Sequence, residues 1–398
     1  MKKILFYCQY LTGMGHLVRS TEIVRSLVKD FKVCFINGGP SVEGFEIPSA
    51  VDVVKLPAIW IENGKLKAAE GSQSIEEVKE SRKTQLIAIF DQFQPDCLVT
   101  EFFPFGRHKL FFELIPLLEH AKAPGCSTKV ACSVRDIVGR ISLDQEEETI
   151  CKLTSQYFDL ILFHSDPTFQ TIEESFSRVK DLNCEVKYTG FVAQSPPDDL
   201  AVSEQDLVNL NRKEPMILVS VGGGRIGHEL IEAVISASPI LETAIPHRIQ
   251  IFTGPFMPED QFVQLQQAAA NRGNVTLQRY TSNLMAYMKQ AELSLSLSGY
   301  NTTMNILKTG VRALVVPIGH YSLDQEQLVR TQKLEKLGVV EVIDPRHLDP
   351  ADLAQRILTS LNNAPIAHTP DFDLQGAQKT SAFLQALLHS DLPIATSV

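Results

Sequence analysis

ILFYCQYLTGMGHLVRSTEIV, residues 4–24, changes character twice. Ile4 to Cys8 is an apolar run that reads as a buried strand. Leu17, Ile23, Val24, Leu27 and Val28 then keep a helical period. Between the two lie Gly13, Gly15, His16 and Arg19. The stretch is a strand-to-helix turn at the edge of a parallel sheet, where open α/β folds bind ligands with helix N–H groups.

Outward from this turn the same alternation continues. FKVCFING (31–38), VDVVKLP (51–57), PDCLVTEFFPFG (95–106), TKVACSVRDI (128–137), FDLILFHSD (158–166) and CEVKYTGFV (184–192) read as strands between helices, and the polar stretch 62–83 as loop and helix. AQSPPDDLAVSEQD (193–206) interrupts the pattern and reads as an interdomain linker, with Ser203 placed to N-cap a short helix. The alternation restarts with PMILVSVGGG (215–224), RIQIFTGP (248–255), NVTLQRY (274–280), AELSLSLSGYN (291–301), VRALVVPIG (311–319) and GVVEVI (338–343). Repeated βα units predict an α/β chain of two Rossmann-like domains facing a central cleft. The expected boundaries are 1–193, 207–370, and a closing helix over 371–390.

Composition agrees with this class. The chain has 398 residues, 44% hydrophobic and 21% charged, which suits about two domains. Its net charge of −10 opposes a nucleic-acid-binding surface. Seven scattered cysteines without a CxxC pair fit reduced, buried thiols, and no stretch has the ~20 apolar residues of a membrane span. The expectation is a cytoplasmic protein.

The glycine turns of the second half indicate an anionic ligand. GGGRIGHE (222–229) lacks the GxxxxGK[ST] spacing of a nucleotide triphosphatase loop. It can be forced onto GxGxxG, yet no acidic residue closes the next strand to hold a ribose. A tight turn that merely needs glycine is the plain alternative. A second such turn, SLSGYNTT (296–303), offers Ser298, Asn301, Thr302 and Thr303 as caps for the following helix. Two helix N-termini and the cation of Arg225 favour a diphosphate over an empty turn.

SLSGYNTTMNILKTG together with VVPIGHYSLDQEQLVRTQKLEKLG (315–338) resembles the C-terminal half of family 28 glycosyltransferases. GMGHLVRS, with Gly15 and His16, resembles that family's N-terminal glycine-rich turn, and is similar also to the nucleotide-sugar hydrolase of pseudaminic acid synthesis. The resemblance implies the GT-B fold and a nucleotide-sugar donor, UDP-linked first, bound without a metal or other cofactor. It implies that Gly223 and Gly224 admit the diphosphate, with Arg225 beside it. Tyr280 falls where the family holds the base. Ser298, Gly299, Asn301 and Thr302 fall on the second phosphate-facing turn, and Glu326 and Gln327 on the pair that binds the donor sugar's hydroxyls. Two positions depart from the family. Asn305 stands where a ribose-binding glutamate is expected, and Gln194 near an arginine that contacts the diphosphate.

An inverting transfer needs a base for the acceptor hydroxyl, and His16 suits that role at neutral pH. A satisfied structural histidine is the alternative. Asp136 or Glu101, each just after a strand, is placed to orient His16 or to replace it. Arg19, Arg107, His108, Lys109 and Arg135 are read as lining an acceptor site, against the simpler reading of salt-bridged loops. The acceptor is not named by the sequence. Phe102, Phe103, Phe105, Phe111 and Phe112 suit either peripheral membrane contact or a core. DFD (371–373) matches a metal-binding Asp-x-Asp, but its place before a helix favours capping, and no metal is expected. Sugar transfer to an acceptor hydroxyl is the leading function. Hydrolysis of the same donor is the alternative.

Overall fold

A computed structural model describes residues 1–62, 64–68, 74–138, 144–195, 202–318, 325–363 and 370–389. β1 (Lys3–Cys8) leads through the glycine turn into α1 (Gly15–Leu27), then β2 (Lys32–Asn37) and β3 (Asp52–Lys55). A hairpin of β4 (Ile59–Glu62) and β5 (Lys65–Ala68) precedes α2 (Ile75–Phe93), β6 (Cys97–Glu101), α3 (Phe111–Ala121) and β7 (Lys129–Arg135). α4 (Asp144–Tyr157), β8 (Leu160–His164) and β9 (Glu185–Tyr188) complete the first domain's order. Its parallel sheet runs β3-β2-β1-β6-β7-β8-β9.

β1 is central and covered on both faces, which is why its sequence is continuously apolar rather than alternating. Leu5 and Tyr7 join the core under α2 and α3, while Ile4, Phe6 and Cys8 join the core under α1. Phe102, Phe103 and Phe105 are buried in the first of these cores, and Phe111 and Phe112 pack half-buried against it. Of the two readings of this phenylalanine group, the structure shows the core. The stretch 62–83, read as loop and helix, also contains β5 of the β4–β5 hairpin, whose short, mostly half-exposed strands turn Ile59, Ile61, Leu66 and Ala68 toward the first core.

The second domain begins with α5 (Glu204–Leu210), where Ser203 Oγ accepts the Asp206 N–H at 3.1 Å as the expected N-cap. It continues through β10 (Met216–Ser220), α6 (His228–Ala244), β11 (Arg248–Phe252), α7 (Glu259–Ala269), β12 (Val275–Gln278) and α8 (Leu284–Gln290). Then follow β13 (Leu293–Leu297), α9 (Tyr300–Thr309), β14 (Ala313–Val316), α10 (Glu326–Lys336), β15 (Glu341–Val342) and α11 (Pro350–Asn362). The strands form a parallel sheet, β12-β11-β10-β13-β14-β15, the 3-2-1-4-5-6 order of a Rossmann domain.

α12 (Gly376–His389) returns to the first domain, where Ala377, Leu384 and Leu388 share a core with Leu17, Ile23 and Val24 of α1. On the way, Phe191 N–H donates to Asp373 O at 2.7 Å, and Gly376 N–H to Phe191 O at 3.0 Å. Asp373 Oδ1 also accepts the Gln375 N–H at 2.9 Å, so this aspartate of the DFD triplet shapes the turn before α12.

Strand order reverses beside β1 in the first sheet and beside β10 in the second. At such points the loops leaving neighbouring strands diverge and open a crevice. The turns after β1 and β10 and the ends of β6 and β13 therefore meet at one cleft. Among the described residues, no helix is long and apolar enough to cross a membrane.

Candidate active site

The cleft holds a cavity of about 330 Å³ lined from both domains. The first domain contributes the Thr12–His16 turn, Arg19 and Arg135. The second contributes Gly222–Ile226, Arg279–Thr281, Gly299–Thr302, Glu326 and Gln327. Asn305 and Gln194 also face it, joined through Asn305 Nδ2 donating to Gln194 Oε1 at 2.6 Å.

Four helices begin here without a side-chain cap. α1 has Met14 at its N-cap, α6 has Gly227, α9 has Gly299 and α10 has Gln325. Their first-turn N–H groups lack intrahelical partners and carry the positive end of the helix dipole, which favours an anion by ~0.3–1 kcal/mol per helix. The expectation that Ser298, Asn301, Thr302 and Thr303 cap α9 is not met. Gly299 takes the cap position in an extended conformation, which puts Ser298 one residue too early. Ser298 Oγ is buried without a partner among the described residues. Thr303 Oγ1 donates back to Tyr300 O at 2.9 Å, and Asn301 Nδ2 crosses the cleft to Gly15 O at 2.8 Å.

The glycine triplet lets two backbones touch. Gly224 has φ +89°, and a Cβ there would press into Thr253 O and lie 2.9 Å from Gly254 O. Gly222 also has positive φ, at +67°, but faces open space. Gly224→Ala should therefore lower the melting temperature by the equivalent of ~1–3 kcal/mol and weaken nucleotide binding, with Gly222→Ala the milder of the two. Equal melting temperatures in the two variants would contradict this. Across the cleft, a Cβ on Gly223 would lie 3.5 Å from Gly13 Cα, so the two glycine turns face each other at close range. Arg225 stands at the rim with its guanidinium 5.5 Å from the Phe256 ring centroid.

His16, in the first turn of α1, has Nδ1 2.6 Å from Glu101 Oε1. Register explains the meeting: Tyr7 of β1 pairs with Thr100 of β6, so Glu101 emerges beside the turn after β1. Glu101 is fully buried and also accepts from Arg19, and from Arg107 at 3.4 Å. Burial pushes its pKa up, but His16, Arg19 and Arg107 outweigh this and hold it ionised well below the usual carboxylate range. An ionised carboxylate only accepts, so Nδ1 carries the imidazole proton and Nε2 keeps its lone pair. Burial, then the neighbouring Arg107 charge, pushes the His16 pKa down to about 3, against the upward pull of Glu101. The imidazole is neutral at physiological pH.

Asp136 is not at His16. Both its oxygens take the Arg330 guanidinium, each at 2.7 Å, in a buried bidentate pair between β7's end and α10. Arg330 also donates to Glu326, which in turn pairs with Arg135. The carboxylate read as a base or orienter is thus neutralised by a residue of the other domain. Glu326 and Gln327 do open α10 at the cavity, with Gln327 Oε1 accepting the Ile318 N–H at 3.3 Å.

The arginines read as acceptor-binding divide. Arg135 lines the cavity, its guanidinium 4.8 Å from the Phe102 ring centroid. Arg19 reaches the cavity but is held on Glu101, and Arg107 turns back behind the wall onto Glu101 and Phe102. His108 and Lys109 lie away from it, bonded to Pro104 O at 3.0 Å and Gly64 O at 2.5 Å. Sequence reading missed Tyr300 and Arg330. Arg330 had a signal in its i+4 spacing from Glu326, and Tyr300 in its place directly after Gly299.

Two Rossmann-like domains about such a cleft define the GT-B fold. Residues 216–382 match the glycosyltransferase family 28 C-terminal domain. Among curated proteins, none matches the chain in sequence. Solved structures are similar in fold across nearly the whole chain. MurG of Acinetobacter baumannii has a TM-score of 0.58 at 14% identity, covering 97% of this chain and 100% of that one. A UDP-glucosyltransferase from Polygonum tinctorium has a TM-score of 0.62 at 12% identity, covering 97% and 98%. The UDP-GlcNAc 2-epimerase of Methanocaldococcus jannaschii has a TM-score of 0.59 at 12% identity, covering 97% and 100%.

Proposed function

We propose that this protein is a glycosyltransferase that moves a sugar from a nucleotide diphosphate sugar, UDP-linked first, to an acceptor hydroxyl. One observation carries this reading. A neutral histidine, backed by a buried carboxylate, faces uncapped helix N-termini and a glycine turn of the other domain across a single cavity.

The diphosphate lies against the first turns of α6 and α9, with Arg225 as its cation and Tyr280 toward the base. Glu326 and Gln327 hold the sugar hydroxyls. His16 Nε2 takes the proton of the acceptor hydroxyl as its oxygen attacks the anomeric carbon. The bond from that carbon to the diphosphate oxygen breaks on the opposite face, and the nucleoside diphosphate leaves with the electron pair. The configuration inverts. The anionic donor raises the proton affinity of the imidazole as it binds, so the base strengthens when substrate is present. Helix ends and Arg225 stabilise the leaving group, and no metal is called for.

Calorimetry with UDP tests the donor site. Arg225→Ala and Thr302→Val should each weaken UDP by about tenfold, the worth of one charge-assisted hydrogen bond at ~1.4 kcal/mol. Unchanged affinity in both would overturn the assignment. Hydrolysis of the same donor predicts sugar release from a UDP-sugar at the same rate with and without a hydroxyl acceptor.

A further inference from the structure

Tyr300 opens α9 in the second domain, yet it is buried against the first. Its hydroxyl accepts the Val192 N–H at 3.0 Å and donates to His164 O at 3.3 Å. Two guanidiniums lie over its ring, Arg19 and Arg330, each 5.3 Å from the centroid. Arg330 is held by two carboxylates, Asp136 and Glu326, although its Nη1 has no partner among the described residues. Arg19 has one carboxylate, Glu101. Its Nε is buried without a hydrogen-bond partner among the described residues, and around the guanidinium stand the Glu101 carboxylate, the His16 imidazole at 3.5 Å and the Tyr300 ring. A buried guanidinium that is short of hydrogen bonds gains from an aromatic face, an interaction that strengthens when desolvated.

We propose that Tyr300 is a positioning residue for His16. Its ring, brought in from the opposite domain, holds Arg19 on Glu101 and thereby fixes the imidazole with its lone pair toward the cleft. The three links are ring to guanidinium, guanidinium to carboxylate, and carboxylate to Nδ1–H. The first crosses between domains and the other two lie within one domain. The base is therefore set in orientation when the cleft is closed and loosened when Tyr300 withdraws. The proposal rests on His16 being the base, but the orientation of the ring is measurable without turnover.

The test compares Tyr300→Phe with Tyr300→Leu, using Tyr300→Met should the leucine variant not fold. Ring ¹⁵N shifts of His16 at neutral pH report its tautomer. Wild type and Tyr300→Phe should show the single Nδ1–H form, and the leucine or methionine variant a mixture with converging shifts. In a UDP-release assay with a UDP-sugar, that variant should lose about tenfold or more in kcat while UDP affinity stays near wild type, and phenylalanine should restore kcat. An unmixed tautomer in the non-aromatic variant overturns the proposal. So does a Tyr300→Phe variant as impaired as Tyr300→Leu, since the hydroxyl bonds to Val192 and His164 would then carry the effect. If wild type neither binds UDP nor turns over a UDP-sugar, the functional reading fails while the tautomer comparison still decides the role of Tyr300.

Discussion

His16→Ala should bind UDP within about threefold of wild type and lose turnover by ~100-fold or more, the usual share of general-base catalysis. The separation follows from geography. The helix ends proposed to face the diphosphate, α6 and α9, belong to one domain, and the imidazole to the other. Loss of UDP affinity in proportion to rate would make His16 a binding residue and remove it from the chemistry. The pH profile adds a second check. Burial and Arg107 press the imidazole pKa down to about 3, so the neutral, proton-accepting form persists throughout the range above that value. kcat/KM, which reports the free enzyme, should then show no acid limb near the ordinary histidine value of ~6.5. A limb there would mean that the imidazole is far more exposed in solution.

Asp136→Asn should be the most disruptive single change at the domain interface. Both oxygens of Asp136 hold the Arg330 guanidinium inside the protein, and removing one charge of a buried pair strands the other. Such losses run to ~3–5 kcal/mol, and about 3 is expected here because Glu326 keeps its hold on Arg330. The pair joins the two domains, so the loss should appear first as an opened cleft. Solution X-ray scattering should show a larger radius of gyration, with weaker UDP binding and a lower melting temperature. Pairing Asp136→Leu with Arg330→Met should recover part of the stability, since an apolar pair carries no stranded charge. An asparagine variant with unchanged scattering and melting would remove the pair from any role in holding the domains together.

What the sequence disclosed follows the reach of its local signals. Continuous apolar runs ending in glycine turns mark β1 and β10 because these strands are central, and the turns after them carry His16 and Gly222–Gly224. The β4–β5 hairpin does turn Ile59, Ile61, Leu66 and Ala68 inward, but strands of four residues are too short for that alternation to stand out. The dipeptide Asn63-Gly64 between two short runs was its remaining signal. Asp136 shows a different limit. After a strand end, a carboxylate looks the same whether it faces substrate or an arginine 194 positions away. Glu101 and Asp136 were indistinguishable by position; strand order puts Glu101 beside the turn after β1, and docking of the second domain puts Asp136 under Arg330. The capping residues of SLSGYNTT failed for a smaller reason, a one-residue offset that places Gly299 rather than Ser298 at the helix start.

The chain passes between the domains twice, once near Phe191 on the way out and once near Asp373 on the way back. The two passages lie side by side, bonded through Phe191 to Asp373 and Gly376, with Val192 bridged to Gln375. A single tether acts as a swivel, free to twist and slide. Two bonded tethers act as the knuckles of a door, confining the halves to rotation about one axis. Each time such a door shuts, Gly13 must return opposite Gly223 and Tyr300 beside Arg19. The alignment of the site is thus written into the joint rather than rediscovered on each swing.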